Sequence, residues 1–186
     1  ALYEDLVIVG ASDCRLVAID QETGIEQWQV ETCDSEKAYM ISGAPRVGGG
    51  KVFIGNSCAD MGLNRGHVDA VDAKTGKHLW RFYTVPGDPK EPQDSELYEM
   101  ALKTWGEGWY ESTRGCGSVW DAMVYDAELD QLIIGTGAPA PADPTKRGKD
   151  VGDELFTSAV VALDAQTGAY QWHFTQVPGN AWNYEP

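Results

Sequence analysis

Basic residues are scarce in this chain. Fourteen Lys and Arg stand against 29 Asp and Glu, a formal net charge of −15. That field repels polyanions and acidic lipid, which argues against a nucleic-acid-binding or anionic-membrane-docking role. No apolar run approaches the roughly 20 residues that a membrane-spanning helix needs. The four cysteines, Cys14, Cys33, Cys58 and Cys116, form no Cys-x-x-Cys and no Cys-x-x-Cys-His spacing. Neither a zinc ribbon nor a covalently attached haem is therefore encoded in these residues. Cys58 and Cys116 both fall in long connections, and both a bridge between them and four unbridged thiols remain open. The histidines are only His67, His78 and His173, without a common spacing, and read as strand residues rather than ligands.

What the chain does have is a repeat. Ala-x-Asp-x-x-Thr-Gly-x-x-x-Trp occurs three times: Ala18, Asp20, Thr23, Gly24, Trp28; Ala70, Asp72, Thr75, Gly76, Trp80; and Ala162, Asp164, Thr167, Gly168, Trp172. Each copy reads as a strand, an Asp-initiated turn in which Gly supplies the positive φ, and a returning strand that carries a large ring. An apolar run ending in Gly precedes each copy: Val7-Ile8-Val9-Gly10, Val52-Phe53-Ile54-Gly55 and Leu132-Ile133-Ile134-Gly135. Further extended stretches, Ala44-Pro45-Arg46-Val47 and 120–125, lie before the second and third runs. The fold class is therefore all-β: about three four-stranded antiparallel blades of a β-propeller. The blades cover about 1–31, 42–84 and 117–176, the first without its first strand, in one partial domain over 1–186. Blades of this kind stack because none can bury its faces alone. A propeller needs more blades to close, so the chain is expected to be an internal piece of a longer protein. The recurring Trp28, Trp80 and Trp172 are expected to pack blade on blade.

In an antiparallel meander the two hairpin turns of a blade lie at one end, and the middle turn and the link to the next blade at the other. The first end is uniformly tight. The long connections, 56–66, 85–116, 136–157 and 177–186, all fall at the second. Long loops collected on one face of a rigid scaffold are where function is expected.

Several of these loop segments resemble the quinoprotein alcohol and methanol dehydrogenases. They are Tyr83-Thr84-Val85-Pro86-Gly87-Asp88-Pro89, the stretch 99–105 (EMALKTW), 117–126 (GSVWDAMVYD) and Tyr170-Gln171-Trp172-His173-Phe174. The resemblance runs over essentially the whole chain. It implies an eight-bladed propeller holding pyrroloquinoline quinone (PQQ) and a metal ion in an axial funnel, in a periplasmic enzyme that passes electrons to a cytochrome c or a haem domain.

Carried over residue by residue, the resemblance makes Trp120 the floor on which the quinone stacks; a blade-edge aromatic is the other reading. Ser42, Ser57, Cys58, Ala59 and Ser118 become cofactor contacts. Small residues over 55–66 would let backbone amides approach the quinone carboxylates. Asp60 replaces the metal-binding Glu, a hard oxygen ligand suited to calcium or a lanthanide. Two departures stand out. Ala138, after Gly135-Thr136-Gly137, replaces a metal-binding Asn and offers no side-chain oxygen. Asn183, in Trp182-Asn183-Tyr184, replaces the catalytic Asp, and a carboxamide is no general base at neutral pH. Were 182–186 extended, Asn183 and Glu185 would share a side, and Glu185 could act as base or metal ligand. Asp143 could reach toward the position of Ala138. The expected activity is PQQ-dependent oxidation of an alcohol to an aldehyde or ketone; the alternative is a propeller that has lost the chemistry and serves as a binding scaffold.

Overall fold

The computed structural model describes residues 1–186 apart from 38, 59–63, 113, 122, 185 and 186. The strands are β1 Leu2–Tyr3, β2 Leu6–Gly10, β3 Arg15–Asp20, β4 Glu26–Glu31, β5 Arg46–Gly48, β6 Lys51–Gly55, β7 His67–Asp72, β8 His78–Tyr83, β9 Met123–Asp126, β10 Gln131–Gly135, β11 Ala159–Asp164 and β12 Tyr170–Thr175. Two short helices, α1 Glu96–Leu102 and α2 Trp109–Ser112, lie in the connection between β8 and β9. The strands form three antiparallel four-stranded sheets in chain order, β1–β4, β5–β8 and β9–β12. The fold is thus an array of β-propeller blades. The first blade does have its first strand, contrary to expectation: β1 is only two residues long, pairs Leu2 with Val7 and Tyr3 with Leu6, and is too short to leave an apolar signal. β9 begins at Met123, so Trp120 precedes the strand rather than opening it.

The repeat sets each blade's outer hairpin. Asp20 Oδ1 accepts hydrogen bonds from the Thr23 backbone N–H (2.8 Å) and hydroxyl (2.7 Å). Asp72 with Thr75 and Asp164 with Thr167 repeat the arrangement. These hydrogen bonds, led by the threonine hydroxyl, hold all three carboxyls below their ordinary range. The same register shift occurs in each blade, at Ala18/Ile19, Ala70/Val71 and Ala162/Leu163, where the third strand meets the Trp-bearing fourth.

The hydrophobic core lies between blades. One cluster joins Ile8, Leu16, Ala18 and Trp28 of the first blade to Val52, Ile54 and Val71 of the second. Another joins Phe53, Val68, Trp80 and Phe82 to Leu132, Ile134, Val161 and Leu163 of the third. The middle blade is therefore covered on both faces: every residue of β6 is buried. Trp28 and Trp80 each dock on the next repeat. Trp28 Nε1 donates to Ala73 O and Trp80 Nε1 to Ala165 O, both at 3.2 Å. The rings lie against Gly76 and Gly168, where a Cβ would come within 2.6 Å of ring carbon. Trp28 and Trp80 are each 8% exposed, whereas Trp172 is 41% exposed and no ring meets Gly24.

Polar groups seal the first blade to the second. Cys14 and Cys33 form a disulfide across the end of the first blade, so neither cysteine arrangement left open by the sequence is the one found. Cys58 and Cys116 are buried thiols. Next to the disulfide, the Thr32 carbonyl accepts from Arg81 Nη2 (2.7 Å) and faces His67 Nε2 (2.9 Å). Both groups converge on buried Asp69, which also bonds His78 Nε2 at 2.6 Å. His67 and His78 are strand residues, in β7 and β8, and both bond Asp69.

Candidate cofactor site

The long connections are zipped together by backbone hydrogen bonds, because irregular chain packed against itself must still satisfy its polar groups. Gly66 N donates to Cys116 O (2.6 Å), Cys116 N to Asn64 O (3.1 Å) and Ala140 N to Gly115 O (3.2 Å). Cys58, Cys116 and Ala140 pack as a small apolar knot where three of the four connections meet. Trp105 Nε1 reaches Leu155 O (2.8 Å) and stacks on Trp109, which fixes the helical insertion to the loop after β10.

Around this knot the structure gathers most of the residues singled out above. Met40 and Ser57 exchange backbone hydrogen bonds (Ser57 N to Met40 O, 2.8 Å; Met40 N to Ser57 O, 3.2 Å), which sets half-buried Ser57 near exposed Ser42. Gly43 lies flat against the Trp120 carbonyl, where an added Cβ would come within 2.3 Å of the oxygen. Trp120 itself is 41% exposed. Buried Ser118 accepts at its carbonyl from Gly137 N (2.8 Å), directly before Ala138. Ser42, Ser57, Cys58, Ser118, Trp120 and Ala138 are therefore neighbours through a continuous series of backbone contacts. Ala59, Asp60 and Glu185 lie outside the described residues.

Asn183 is tied in from the other side. Ser158 N donates to Gly137 O (3.0 Å), and Asn180 Nδ2 donates to Ser158 Oγ (2.8 Å). Asn180 also shapes the turn that carries Asn183: its Oδ1 accepts from Trp182 N (3.1 Å) and Tyr184 N (3.3 Å), and its Nδ2 donates to Tyr184 O (2.8 Å). Asn183 is exposed with φ +54°. Residues 182–184 are therefore not an extended run, and Glu185 lies outside the described residues. Asp143 does not reach toward Ala138 either; it caps a 3-10 turn at Pro144–Lys146, accepting from Thr145 N (3.0 Å) and Oγ1 (2.7 Å). The threonine hydroxyl, with the backbone bond, holds its carboxyl below the ordinary range.

The sequence left one group unremarked. Arg147 and Glu154 form a bidentate pair, both fully buried (Nε–Oε1 2.7 Å, Nη2–Oε2 2.8 Å). Burial pushes the Glu154 carboxyl up, and the guanidinium pulls it back. No local pattern marks this pair. The Asx-turn of Asn180 did have a signal, an Asn after Gly179 just before the Trp182 segment.

Comparison with known proteins completes the picture. The family model described as "Glucose/ethanol/alcohol dehydrogenase, beta-propeller domain" (PQQ) matches residues 31–186. The chain belongs to this family. It is 51% identical over 183 residues to the lupanine 17-hydroxylase (cytochrome c) of Pseudomonas sp, covering 98% of this chain and 26% of the relative. It is 49% identical to the quinohemoprotein alcohol dehydrogenase ADH-IIG of Pseudomonas putida, covering 99% and 26%. The solved structure of that enzyme superposes with a TM-score of 0.93, covering 99% of this chain and 27% of the enzyme's. A europium-containing methanol dehydrogenase, 28% identical, superposes at 0.85 over 100% of this chain and 33% of its own. The chain thus spans about a quarter of the length of the curated relatives it matches.

Of the two groups the sequence resemblance implies, PQQ meets more of the described residues than a metal ion does. For PQQ there is an exposed indole flanked by backbone and hydroxyls. For the metal ion, Ala138 supplies only a methyl, and among the described residues no group of three or more His, Cys, Asp and Glu could hold an ion.

Proposed function

We propose that this segment is the cofactor-binding part of a periplasmic PQQ-dependent oxidoreductase that oxidises an alcohol to an aldehyde or ketone. It forms one partial propeller domain, with the long connections carrying the site. The observation that carries the reading is the convergence of Trp120, Ser42, Ser57 and Ser118 at the knot of connections in a chain of this family. Trp120 presents a flat, half-open indole, suited to stacking against a planar quinone. The hydroxyls and the backbone of Cys58 and Ala59 would bind its carboxylates and carbonyls. When bound, the quinone supplies the two-electron acceptor that no side chain can provide.

The chain's own residues then orient the substrate and manage its proton. Asn183 can hold a substrate hydroxyl by hydrogen bonding and cannot remove its proton. The base assigned here is Glu185, with Asp60 as the carboxylate that would suit calcium or a lanthanide. No step is routed through the metal, because the described residues do not provide its ligands. Electrons leave to a cytochrome c or a haem domain, a reading supported by the quinohemoprotein relatives.

A non-catalytic scaffold is the second reading, favoured by Ala138 and Asn183. Reconstitution of the full-length protein with PQQ and either calcium or lanthanum, followed by dye reduction with a panel of alcohols, separates the two. Metal-dependent turnover that is lost in Glu185→Gln supports the enzyme. Tight PQQ binding without turnover on any alcohol supports a scaffold.

A further inference from the structure

We propose that Arg147 is a positioning residue: its guanidinium locks the segment that presents Asn183 to the segment that follows Ala138. The inference rests on the functional reading above. A guanidinium has five N–H donors in a rigid plane, and here all five are used. Two go to Glu154. Nη1 donates to the carbonyls of Pro141 (2.6 Å) and Ala142 (2.8 Å), in the loop that begins at Ala138. Nη2 donates to the carbonyl of Asn180 (2.8 Å), the residue whose side chain shapes 182–184.

The anchor does not float. Glu154 N donates to Thr104 O (3.1 Å), and Thr157 Oγ1 donates to Glu154 O (2.7 Å), so the backbone that carries the carboxylate is fixed to the helical insertion and to the segment just before β11. An ion pair that served stability alone would not need three backbone carbonyls from two chain segments, and a buried pair is poor evidence of stability in any case. What the geometry does specify is a distance. Positions 138 and 183, which the sequence resemblance sets apart, are carried by segments that meet at one planar cation. Lysine cannot replace it, because a single ammonium cannot span Glu154, Pro141, Ala142 and Asn180 together.

The test uses the full-length protein loaded with PQQ, in wild-type, Arg147→Lys and Arg147→Met/Glu154→Met forms; the double variant removes both charges and so avoids stranding one. Hydrogen–deuterium exchange, PQQ titration of the apoprotein and steady-state turnover are measured on each. The clamp predicts exchange at least tenfold faster in both 138–146 and 180–184 for Arg147→Lys, with β10–β12 unchanged. It also predicts a fall in kcat of at least tenfold in both variants, while PQQ affinity changes less than threefold. Faster exchange in 138–146 with 180–184 unaffected, or kcat retained in Arg147→Lys, overturns it. A wild-type protein that binds PQQ without turnover sinks the enzymatic reading instead, and the exchange data still judge the clamp.

Discussion

Replacing Gly76 by alanine tests the way the blades are held together. Gly76 has φ +69° and lies under the Trp28 ring, where a Cβ would sit 2.6 Å from Cε3 and 2.8 Å from Cδ2. The substitution therefore carries two costs. The left-handed backbone disfavours any Cβ by about 1–2 kcal/mol. Forcing the ring away from its seat, and stretching the Trp28 Nε1 bond to Ala73 O, adds about 1–3 kcal/mol of overpacking. Gly50 isolates the first cost, because it has φ +75° with nothing within 4 Å of its Cβ position. Gly50→Ala should thus lose only about 1–2 kcal/mol, and Gly76→Ala about 1–3 kcal/mol more. Gly168→Ala, against Trp80, should match Gly76→Ala because the two sites superimpose in kind. Guanidinium unfolding of the full-length protein, followed by tryptophan fluorescence, reads the three midpoints. If Gly76→Ala is no worse than Gly50→Ala, ring docking does not hold the blades, and the account of the core given above is wrong.

Other outcomes follow from individual groups. Burial alone would raise the Asp69 carboxyl, but bonds from His67, His78 and Arg81 hold it well below the usual carboxylate range. Its stabilising contribution is complete above the unfolded value of about 3.9 and is lost as pH falls below that toward the folded value. Asp69→Asn should therefore be less stable than wild type at pH 6 and nearly equal to it in the most acidic solutions; a stability gap that stays constant from pH 6 to the acid limit would refute this. Reduction of Cys14–Cys33, which closes a loop of 19 residues, should cost about 3 kcal/mol in unfolding experiments with and without dithiothreitol. Trp120→Ala should weaken PQQ binding about tenfold, in line with a stacking contribution of about 0.5–1.5 kcal/mol beyond area burial. Unchanged affinity in an equilibrium titration would make Trp120 a blade-edge aromatic.

How much of this was legible depends on how local the signal is. The Asp-x-x-Thr-Gly turn closes on itself within four residues through the Asp20, Asp72 and Asp164 hydrogen bonds. The strands either side alternate or run apolar according to how many faces are covered, so the blades could be read from the chain. The short β1 could not, because two residues carry no periodicity. The cofactor residues were legible only through resemblance: nothing in Ser42 or Ser118 by itself distinguishes a ligand contact from a loop hydroxyl.

The sequence by itself determined the repeat, the turns, the all-β class and the acidic surface, since each follows from residues within a dozen positions of one another. Tertiary structure alone decided which cysteines pair, because Cys14 and Cys33 meet only when β3 and β4 fold back on each other. It also gathered His67, His78, Arg81 and Asp69 into one cluster, and brought Arg147 between Pro141 and Asn180. Those contacts depend on which side chains the paired strands and folded loops bring face to face, and a linear pattern carries no information about which buried polar groups will satisfy one another once water has been excluded.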